Sequence, residues 1–310
     1  MNILLVADRP GWAYDILAQS LCKHSSHDHI SVVYVSELRE KIGSTDFSEF
    51  DVVFFFLWYD AMRYGVKING FEFRKTCVGI HSLSSWSGRG LDESQASLVC
   101  NQFAAAGYIS KEINKLLSLE RGFFTPNGVE RDLFYPMELP SLDTLRLMWV
   151  GNPGNKHHGI NKGFHSVVRP VVEEFKQRGV VLSTATPDSP VLREDMGDFY
   201  RSNHALICAS QHEGGPLPVV ESLACGRPVI TTAVGIVPEI VIDGENGIII
   251  ERKRSNLRDA IETMLEDKEL VNRLASSIGN ALDGRYAEQM AASYDAMFEF
   301  VYRFQQEGVP

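Results

Sequence analysis

The sequence predicts an α/β protein with two doubly wound parallel sheets. Its 310 residues exceed one typical domain and suffice for two. Short apolar runs rich in β-branched and aromatic residues alternate with amphipathic segments, which is the pattern of strands buried on both faces and of the helices that cover them. The alternation stops once, in a proline-containing stretch at residues 136–143, and then restarts.

Six strands and three helices are predicted for the first half of the chain. Each strand is a short apolar run, and each helix is an amphipathic segment between such runs. The predicted strands cover residues 3–7, 30–35, 51–57, 76–81, 106–109 and 122–125, and the helices cover residues 12–23, 97–105 and 110–117. Strands and helices that alternate in this way form a parallel sheet with helices on both faces.

The second half repeats the alternation. Strands are predicted at residues 145–151, 180–185, 204–208, 228–232 and 248–250, and helices at residues 162–178, 218–224 and 255–265. We therefore predict domains at residues 1–137 and 138–284, with the carboxyl ends of their strands lining a shared crevice. A last apolar helix, within residues 285–310, is expected to pack back on the first domain.

The composition excludes several classes of protein. The formal net charge is -10, whereas nucleic-acid surfaces need clustered Lys and Arg, so a nucleic-acid partner is not expected. The histidines and cysteines lack metal-ligand spacing, and no metal site is predicted. A signal peptide and a run long enough to span a membrane are both absent, so we expect a soluble cytoplasmic protein. Peripheral contact with a membrane surface and the oligomeric state are left open.

One motif carries most of the chemical information. Glu213-Gly-Gly-Pro-Leu-Pro-Val-Val-Glu221 follows a predicted strand and opens a predicted helix. Gly214 and Gly215 let backbone amides approach an anion closely, and the helix start adds unpaired N–H groups and a favourable dipole. From physical chemistry alone, two interpretations fit these residues about equally well. One is a binding site for a diphosphate, and the other is an ordinary helix start at which Pro and Gly mark the end of the preceding segment.

The motif, with the residues up to Ile230, resembles the signature of the large retaining GT-B glycosyltransferase family (family four, glycosyl transferases group 1), in which seven residues separate two glutamates. Three further segments match in order: residues 126–136, residues 147–151 followed by Lys162-Gly163, and residues 199–208. The resemblance is strong over residues 126–247 and weaker before them. It implies a GT-B fold, in which two Rossmann-like domains face each other across a cleft.

The resemblance also implies roles for individual residues. Glu221 matches the ribose-binding glutamate, and Glu213 matches the catalytic glutamate near the donor sugar. Lys162 matches the lysine that neutralises the diphosphate leaving group, although a surface lysine at a helix start is the alternative. Three further residues are expected to approach the donor sugar and phosphates: Gly214, Gly215 and Leu217.

In the first half, the matching positions lie after the first and fourth predicted strands. His81 resembles the family's catalytic histidine at the sugar-acceptor face, with a satisfied histidine at a strand end as the alternative. Gly11 lies in the family's glycine-containing loop, where the backbone approaches the donor. Arg9 is the candidate for holding an anionic acceptor, and Trp12 offers a face for stacking on a sugar, although packing is the commoner use of such an aromatic.

One position departs from the family pattern in a way that concerns the diphosphate. The family usually has an arginine directly after Gly151, as a second cation on the phosphates, and here that residue is Asn152. A polar loop follows, in which Lys156 or a histidine would have to substitute. Gly215-Pro216 stands where Phe-Gly is common, and we regard this variant as compatible with the signature.

The resulting expectation is a retaining hexosyltransferase that uses a nucleotide diphosphate sugar as co-substrate, without a metal or other cofactor. Its acceptor is expected to be a glycan, a lipid-linked sugar or another hydroxyl compound, as in polysaccharide biosynthesis. Two alternatives stay open: a non-catalytic GT-B protein that binds sugar nucleotides, and a glycosyltransferase that acts on modified DNA bases. A nicotinamide-dependent oxidoreductase is disfavoured, because the first strand is followed by Asp-Arg-Pro-Gly-Trp and not by a G-x-G-x-x-G loop.

Overall fold

The computed structural model of the protein describes residues 1–154 and 160–307. The chain forms two compact units of similar size: residues 1–128 together with the segment from Gly284 onwards, and residues 129–283. Each unit is built on one parallel sheet that is covered by helices. The predicted fold class, two Rossmann-like α/β domains, is confirmed.

The first unit contains a six-stranded sheet in the order β2-β1-β3-β4-β5-β6, with every pairing parallel. The strands are β1 Asn2–Ala7, β2 His29–Tyr34, β3 Val52–Phe55, β4 Thr76–Ile80, β5 Ala105–Tyr108 and β6 Gly122–Phe124. The helices are α1 Ala13–His24, α2 Val35–Lys41, α3 Trp58–Arg63, α4 Ser84–Ser87, α5 Glu93–Cys100 and α6 Lys111–Leu116. Because β2 and β3 lie on opposite sides of β1, the strand order reverses there, and the carboxyl ends of β1 and β3 flank the crevice of this sheet.

Helix α5 begins earlier than the sequence analysis predicted. The predicted helix covered residues 97–105, whereas α5 covers Glu93–Cys100 and β5 already starts at Ala105. The cause is a capping box: the Asp92 carboxylate accepts from Gln95 N at 2.8 Å, and the Gln95 side chain accepts from Asp92 N at 3.1 Å. These two bonds satisfy amides that the first turn of a helix leaves unpaired, and so they fix its start.

The terminal helix, α13 Ala287–Gln306, packs on the first sheet. Its buried Tyr294 and Phe298 contact Phe54 of β3 in edge-to-face geometry, with ring centroids 5.4 and 5.9 Å apart. The buried Asp295 accepts three hydrogen bonds from the end of α1: from Ser25 Oγ at 2.5 Å, from Ser26 N at 2.7 Å and from Ser26 Oγ at 2.8 Å. Neither this helix nor any other in the described residues has the length and apolarity needed to cross a membrane.

The second unit contains a five-stranded parallel sheet in the order β11-β10-β9-β7-β8. Its strands are β7 Leu145–Val150, β8 Val180–Ala185, β9 Ala205–Cys208, β10 Val229–Thr231 and β11 Gly247–Ile249. Its helices are α7 Arg169–Glu174, α8 Met196–Arg201, α9 Leu217–Ala224, α10 Val237–Ile240, α11 Arg254–Glu266 and α12 Lys268–Ser276. The strand order reverses at β7, so the carboxyl ends of β7 and β9 flank the crevice of this sheet.

The boundary between the units lies earlier than the predicted boundary after residue 137. The second unit begins at Val129, and residues 136–143 belong to it. The reason is Arg227, a fully buried side chain whose guanidinium donates to Met137 O at 2.7 Å and to Glu138 O at 2.9 Å. The proline-containing stretch is therefore a packed part of the second unit and not a free linker.

We predict that Asp295→Ala lowers the free energy of unfolding by about 3 kcal/mol, because a buried charged acceptor of several hydrogen bonds is lost and its donors stay unpaired. Urea unfolding at neutral pH measures this change. Glu299→Ala is the matched control, since this half-exposed carboxylate of the same helix forms a surface ion pair with Arg303 at 2.9 Å, and its loss should cost no more than about 0.5 kcal/mol. Equal costs for the two variants would contradict the role given to Asp295.

Candidate functional site

The candidate site lies at the carboxyl edge of the second sheet. A narrow cavity there is lined by the ends of β7 and β9, by the loop after β9 and by the start of α9. Its lining residues are Trp149, Val150, Lys162, Leu206, Ile207, Cys208, Ser210, Pro216 and Pro218. A crevice beyond the carboxyl ends of strands, where the strand order reverses, is the usual ligand site of an open α/β sheet.

Lys162 and Glu213 meet directly in this site. Lys162 Nζ lies 3.0 Å from Glu213 Oε1, which also accepts a hydrogen bond from Ser210 Oγ at 2.8 Å. Burial acts to lower the pKa of Lys162, but the charge of Glu213, the neighbouring Cys208 and the hydrogen bond to Glu213 outweigh it, so that this pKa lies above its ordinary value. Lys162 is therefore a charged ammonium at neutral pH. It lies beside the turn that contains Gly214 and Gly215, which we call the glycine turn.

The loop that carries Glu213 is fixed on both sides. Asn161 binds His212 with both ends of its amide, accepting from His212 N at 2.9 Å and donating to His212 O at 2.7 Å. Thr232, at the end of β10, donates to Ser210 O at 2.6 Å. Arg252 donates to Ala209 O at 2.9 Å. The position of Glu213 is thus set by groups from three other parts of the unit.

The glycine turn packs backbone against backbone on a second turn, after β10. Ile236 N donates to Gly214 O at 2.9 Å, and Gly235 adopts a positive φ of 52° beside it. A Cβ added at Gly235 would lie 1.9 Å from Gly214 O, which no side chain can tolerate. Sequence reasoning missed Gly235. The signal was a glycine four residues after β10, but its conformation and contact were not readable from the sequence.

Helix α9 starts at Leu217, with Pro216 as its N-cap residue. Gly214, Gly215 and Leu217 are all partly exposed, at the place where the glycine turn runs into the helix. The first turn of the helix uses part of its own donors, since Val219 N and Val220 N donate to Pro216 O at 2.9 and 3.4 Å. The donor-binding role of Gly214, Gly215 and Leu217 stays a prediction.

Glu221 lies in the next turn of α9 and is only 4% exposed. Both of its oxygens are bound inside the unit. Arg193 donates to Oε1, and the hydroxyl of the fully buried Tyr200 donates to Oε2 at 2.8 Å. Burial, and then the charge of Glu221, raise the pKa of the Tyr200 hydroxyl well above its ordinary value, so it remains a proton donor. Sequence reasoning identified neither Arg193 nor Tyr200 as part of the site.

Asn152, the position where the family usually has an arginine, makes a local turn. Its side-chain oxygen accepts from Gly154 N at 3.0 Å. The amide is uncharged and cannot replace a guanidinium on a diphosphate. Lys156, His157 and His158, the candidates for a substitute cation, lie outside the described residues.

In the first unit, Arg9, Gly11 and Trp12 share the loop after β1. The Arg9 guanidinium lies over the Trp12 ring at 3.7 Å, and Trp12 is 38% exposed. Gly11 adopts a positive φ of 73°, and its N–H donates to Asp15 at 2.7 Å. The structure thus brings the two acceptor candidates together as one cation–π pair at the carboxyl edge of this sheet.

His81 follows β4 but points into the unit. It is 5% exposed, and its ring lies between Tyr14 and Phe56 with centroids 4.9 and 6.0 Å away. Neither ring nitrogen has a hydrogen-bond partner in the described part of the chain. Burial lowers the pKa of His81 to about 3, so the ring is neutral at physiological pH. Its role at the sugar-acceptor face stays a prediction, and it requires a ligand to reach a ring that the aromatic neighbours cover.

Among the residues that the structure describes, no group of three or more His, Cys, Asp or Glu side chains is placed to hold a metal ion. The charged groups at the site are instead paired with one another, Lys162 with Glu213 and Arg193 with Glu221.

Residues 189–279 match the family model for glycosyl transferases group 1, and this range contains both signature glutamates. The chain is 36% identical over 85 residues to an uncharacterised glycosyltransferase of Methanocaldococcus jannaschii, an alignment that covers 27% of this chain and 24% of that protein. It is 31% identical over 123 residues to a D-inositol 3-phosphate glycosyltransferase of Geodermatophilus obscurus, covering 39% and 27% of the two chains. The matched part therefore spans only about a quarter of the length of these relatives.

Solved structures resemble the whole chain in fold. A sucrose-phosphate synthase of Thermosynechococcus elongatus aligns with a TM-score of 0.65 at 14% identity, covering 99% of this chain and 98% of that chain. The Anabaena protein HepE, in complex with UDP and glucose, aligns with a TM-score of 0.68 at 15% identity, covering 96% and 99%. These likenesses confirm the predicted fold, and residues 189–279 are similar to glycosyl transferases group 1.

We predict that Gly235→Ala destabilises the second unit by more than about 3 kcal/mol, because the new methyl group meets the Gly214 carbonyl in addition to the strain of a positive φ. Gly244→Ala is the control: Gly244 has a similar φ of 74°, but a Cβ there meets nothing within 4 Å, so its cost should stay near 1 kcal/mol. Urea unfolding of both variants measures the difference. A Gly235→Ala variant as stable as Gly244→Ala would refute the backbone contact.

A second prediction concerns His81. The unfolded chain binds a proton at this residue near pH 6.5, whereas the folded protein does not until about pH 3, so His81 stabilises the fold above pH 6.5 and loses that contribution as the pH falls. Between pH 6.5 and pH 5 this loss amounts to about 2 kcal/mol. In His81→Phe, the free energy of unfolding should therefore fall less steeply over this range. Parallel pH profiles for the two proteins would contradict a buried neutral imidazole.

Proposed function

We propose that this chain, whose residues 189–279 match the family model for glycosyl transferases group 1, is a glycosyltransferase that uses a nucleotide diphosphate sugar. The observation that carries the proposal is the pairing of Lys162 with Glu213 at the glycine turn, 3.0 Å apart and at the mouth of a helix start. A cation and a carboxylate next to a helix start are what a diphosphate leaving group and the sugar next to it require.

We propose that Lys162 stabilises the leaving group. When the bond between the anomeric carbon and the phosphate oxygen breaks, negative charge develops on that oxygen, and a positioned ammonium stabilises it. The ammonium lies in a narrow cavity and not in open solvent, which strengthens the interaction. In the absence of donor, Glu213 balances this charge. Donor binding then places the phosphates within reach of Lys162 and frees Glu213 to bind sugar hydroxyls.

We propose that the transferred group is a hexose-type sugar and that the configuration at its anomeric carbon is retained. A double displacement needs a carboxylate about 5 Å from a partner acid across the sugar, and the sequence offers no obvious nucleophile at the acceptor face. A same-face substitution fits the site better. The acceptor oxygen bonds to the anomeric carbon, the phosphate oxygen leaves on the same side, and the proton of the acceptor hydroxyl passes to that phosphate oxygen. Glu213 and His81 then position the sugar and stabilise charge, and neither is a nucleophile.

We propose that the first unit binds the acceptor. Arg9 and Trp12 form a cation–π pair at the carboxyl edge of its sheet, and such a pair offers a flat face for a sugar ring with a positive charge beside it. A glycan, a lipid-linked sugar or another hydroxyl compound would fit this surface. The D-inositol 3-phosphate glycosyltransferase similar to the second unit is consistent with a polyhydroxylated acceptor. We expect no metal or further cofactor.

A second candidate function is binding of sugar nucleotides without transfer. It is favoured by Asn152, which leaves the diphosphate without the arginine that the family usually supplies next to Gly151. In that case the same site binds a sugar nucleotide and does not turn it over.

We predict that Lys162→Met lowers transfer or slow hydrolysis of the sugar nucleotide at least about 100-fold, because the leaving-group charge is no longer offset. The assay screens UDP-, GDP-, ADP- and CDP-sugars, first by thermal shift, where a ligand at 100 times its dissociation constant stabilises by about 2.7 kcal/mol, and then by release of the nucleotide. Lys176→Met is the matched control: this exposed lysine pairs with Glu173 at 3.3 Å, and its loss should leave turnover unchanged.

The outcomes separate the two candidates. If Lys162→Met retains turnover, the role proposed for this lysine is wrong. Binding by the unmodified protein with no release of nucleotide, with or without simple glycoside acceptors, favours the non-catalytic candidate. A protein that no sugar nucleotide stabilises would rule out both.

A further inference from the structure

Three exposed arginines of the first unit converge on the helix that follows β3. Arg39 lies on α2 and Arg63 on α3, and their guanidinium carbons lie 5.0 and 5.3 Å from the centroid of the same Tyr64 ring. Arg89 follows α4, and its guanidinium carbon lies 3.3 Å from the centroid of the Tyr59 ring. The three side chains therefore come from the segments after β2, β3 and β4, and we call them the arginine cluster.

Asp60 connects these arginines electrostatically. This carboxylate lies on α3, and the residue is only 7% exposed. Burial raises the pKa of Asp60 to about 6, while the charges of Arg39, Arg89 and Arg63 act to lower it. All three guanidinium groups are thus close enough to act on a single carboxylate.

The positive charge of the arginine cluster exceeds the negative charge that it surrounds. Within the described part of the chain, Arg39 and Arg63 form no hydrogen bond or ion pair, and Arg89 donates to the backbone oxygen of Ser85 at 2.9 Å. Three guanidinium groups face one carboxylate. The two that share the Tyr64 ring lie no more than about 10 Å apart, a separation at which salt screens their repulsion only in part. An anion bound between them would relieve this repulsion.

The chemistry of the arginine cluster favours a phosphate monoester as that anion. The planar guanidinium group presents a fork of N–H donors that matches the oxygens of a phosphate. A phosphate monoester carries about 1.5 to 2 negative charges at neutral pH, which matches the excess of three guanidinium groups over one carboxylate. Stacking on tyrosine rings also restricts the arginine side chains before a ligand arrives, which lowers the entropic cost of binding.

The arginine cluster adjoins the loop after β1. Asp8 begins that loop, and its charge raises the pKa of Asp60, so the two carboxylates are close together. Arg9 and Trp12, which form the cation–π pair described above, follow Asp8 in the same loop. A compound that places its hydroxyl-bearing part on Trp12 can therefore extend a charged substituent towards the cluster.

Resting on the function proposed above, we propose that Arg39, Arg63 and Arg89 bind a phosphate monoester of the acceptor. The acceptor is then a phosphorylated hydroxyl compound, such as a sugar phosphate, and not a neutral glycan. The phosphate takes no part in the reaction. It holds the acceptor by a group other than the hydroxyl that receives the sugar.

The first measurement is isothermal titration of the full chain with methyl phosphate, dimethyl phosphate and acetate, at low ionic strength and at about pH 7.5, where a phosphate monoester is largely doubly charged. Methyl phosphate should bind about tenfold or more tightly than the two singly charged anions. Arg39→Gln and Arg63→Gln should each weaken its binding about fivefold or more. Lys162→Met should leave this binding unchanged, which separates it from any phosphate bound at the donor site.

Two further variants serve as controls. Arg303→Gln makes the same change of charge at an exposed arginine of the same unit, which pairs with Glu299 at 2.9 Å. It should change the affinity for methyl phosphate less than about twofold, because salt screens a distant exposed charge. Arg39→Lys keeps the charge and loses the fork of donors, so it should recover part of the affinity. An unchanged midpoint of urea unfolding excludes loss of the fold as the cause of weaker binding.

The second measurement connects the arginine cluster with the transfer. Release of nucleotide from the best-bound sugar nucleotide is followed with hexose and polyol monophosphates and with their unphosphorylated counterparts. The phosphorylated member of a pair should be the better acceptor. Arg39→Gln should raise its KM about fivefold or more and change kcat little, because the phosphate is bound alike in the ground state and in the transition state.

Specific results would overturn the proposal. If methyl phosphate and acetate bind equally well, or if the double variant Arg39→Gln/Arg63→Gln binds methyl phosphate as the unmodified protein does, the three arginines are solvated surface groups. If no phosphorylated compound is preferred as acceptor, the cluster does not serve the transfer. A protein that binds methyl phosphate but no sugar nucleotide would instead overturn the proposed function, since the first measurement requires no donor.

Discussion

The contact between Lys162 and Glu213 depends on a constraint that organises the whole second unit: buried charges must be paired. Lys162 follows β7 in the chain and Glu213 follows β9, two strands that are neighbours in the sheet although far apart in sequence. Only the parallel sheet brings their carboxyl ends together. The side-chain amide of Asn161, next to the lysine, then binds the backbone of His212, next to the glutamate, and this contact aligns the pair.

The second signature glutamate obeys the same constraint with different partners. Glu221 is balanced by Arg193 and Tyr200. The site thus contains two charge-balanced pairs, Lys162 with Glu213 at the helix start and Arg193 with Glu221 one turn further on. Under the proposed function, the phosphates of the donor meet the pair that holds the lysine.

The parts of this site that follow strict local rules were predictable from the sequence. The glycine turn and the helix start of α9 follow from Gly, Pro and a buried strand, and the spacing of the two glutamates pointed to the donor. Arg193 was not predictable, because its contact with Glu221 depends on how the segment after β8 folds over Phe134. Gly235 was missed for a similar reason, since its importance comes from a carbonyl in another loop. The domain boundary was misplaced because Arg227 binds a stretch that looks like a linker by its prolines.

The position of α13 has a consequence for how the protein is made. The first unit combines residues 1–128 with α13, and its buried aromatic layer is incomplete until Tyr294 and Phe298 reach Phe54. The second unit is continuous in sequence. During synthesis, the first sheet leaves the ribosome early, yet it must wait with one apolar face uncovered while the whole second unit is translated and folds. The first unit can therefore complete its core only after α13 has left the ribosome, although domains usually fold in their order from the N-terminus.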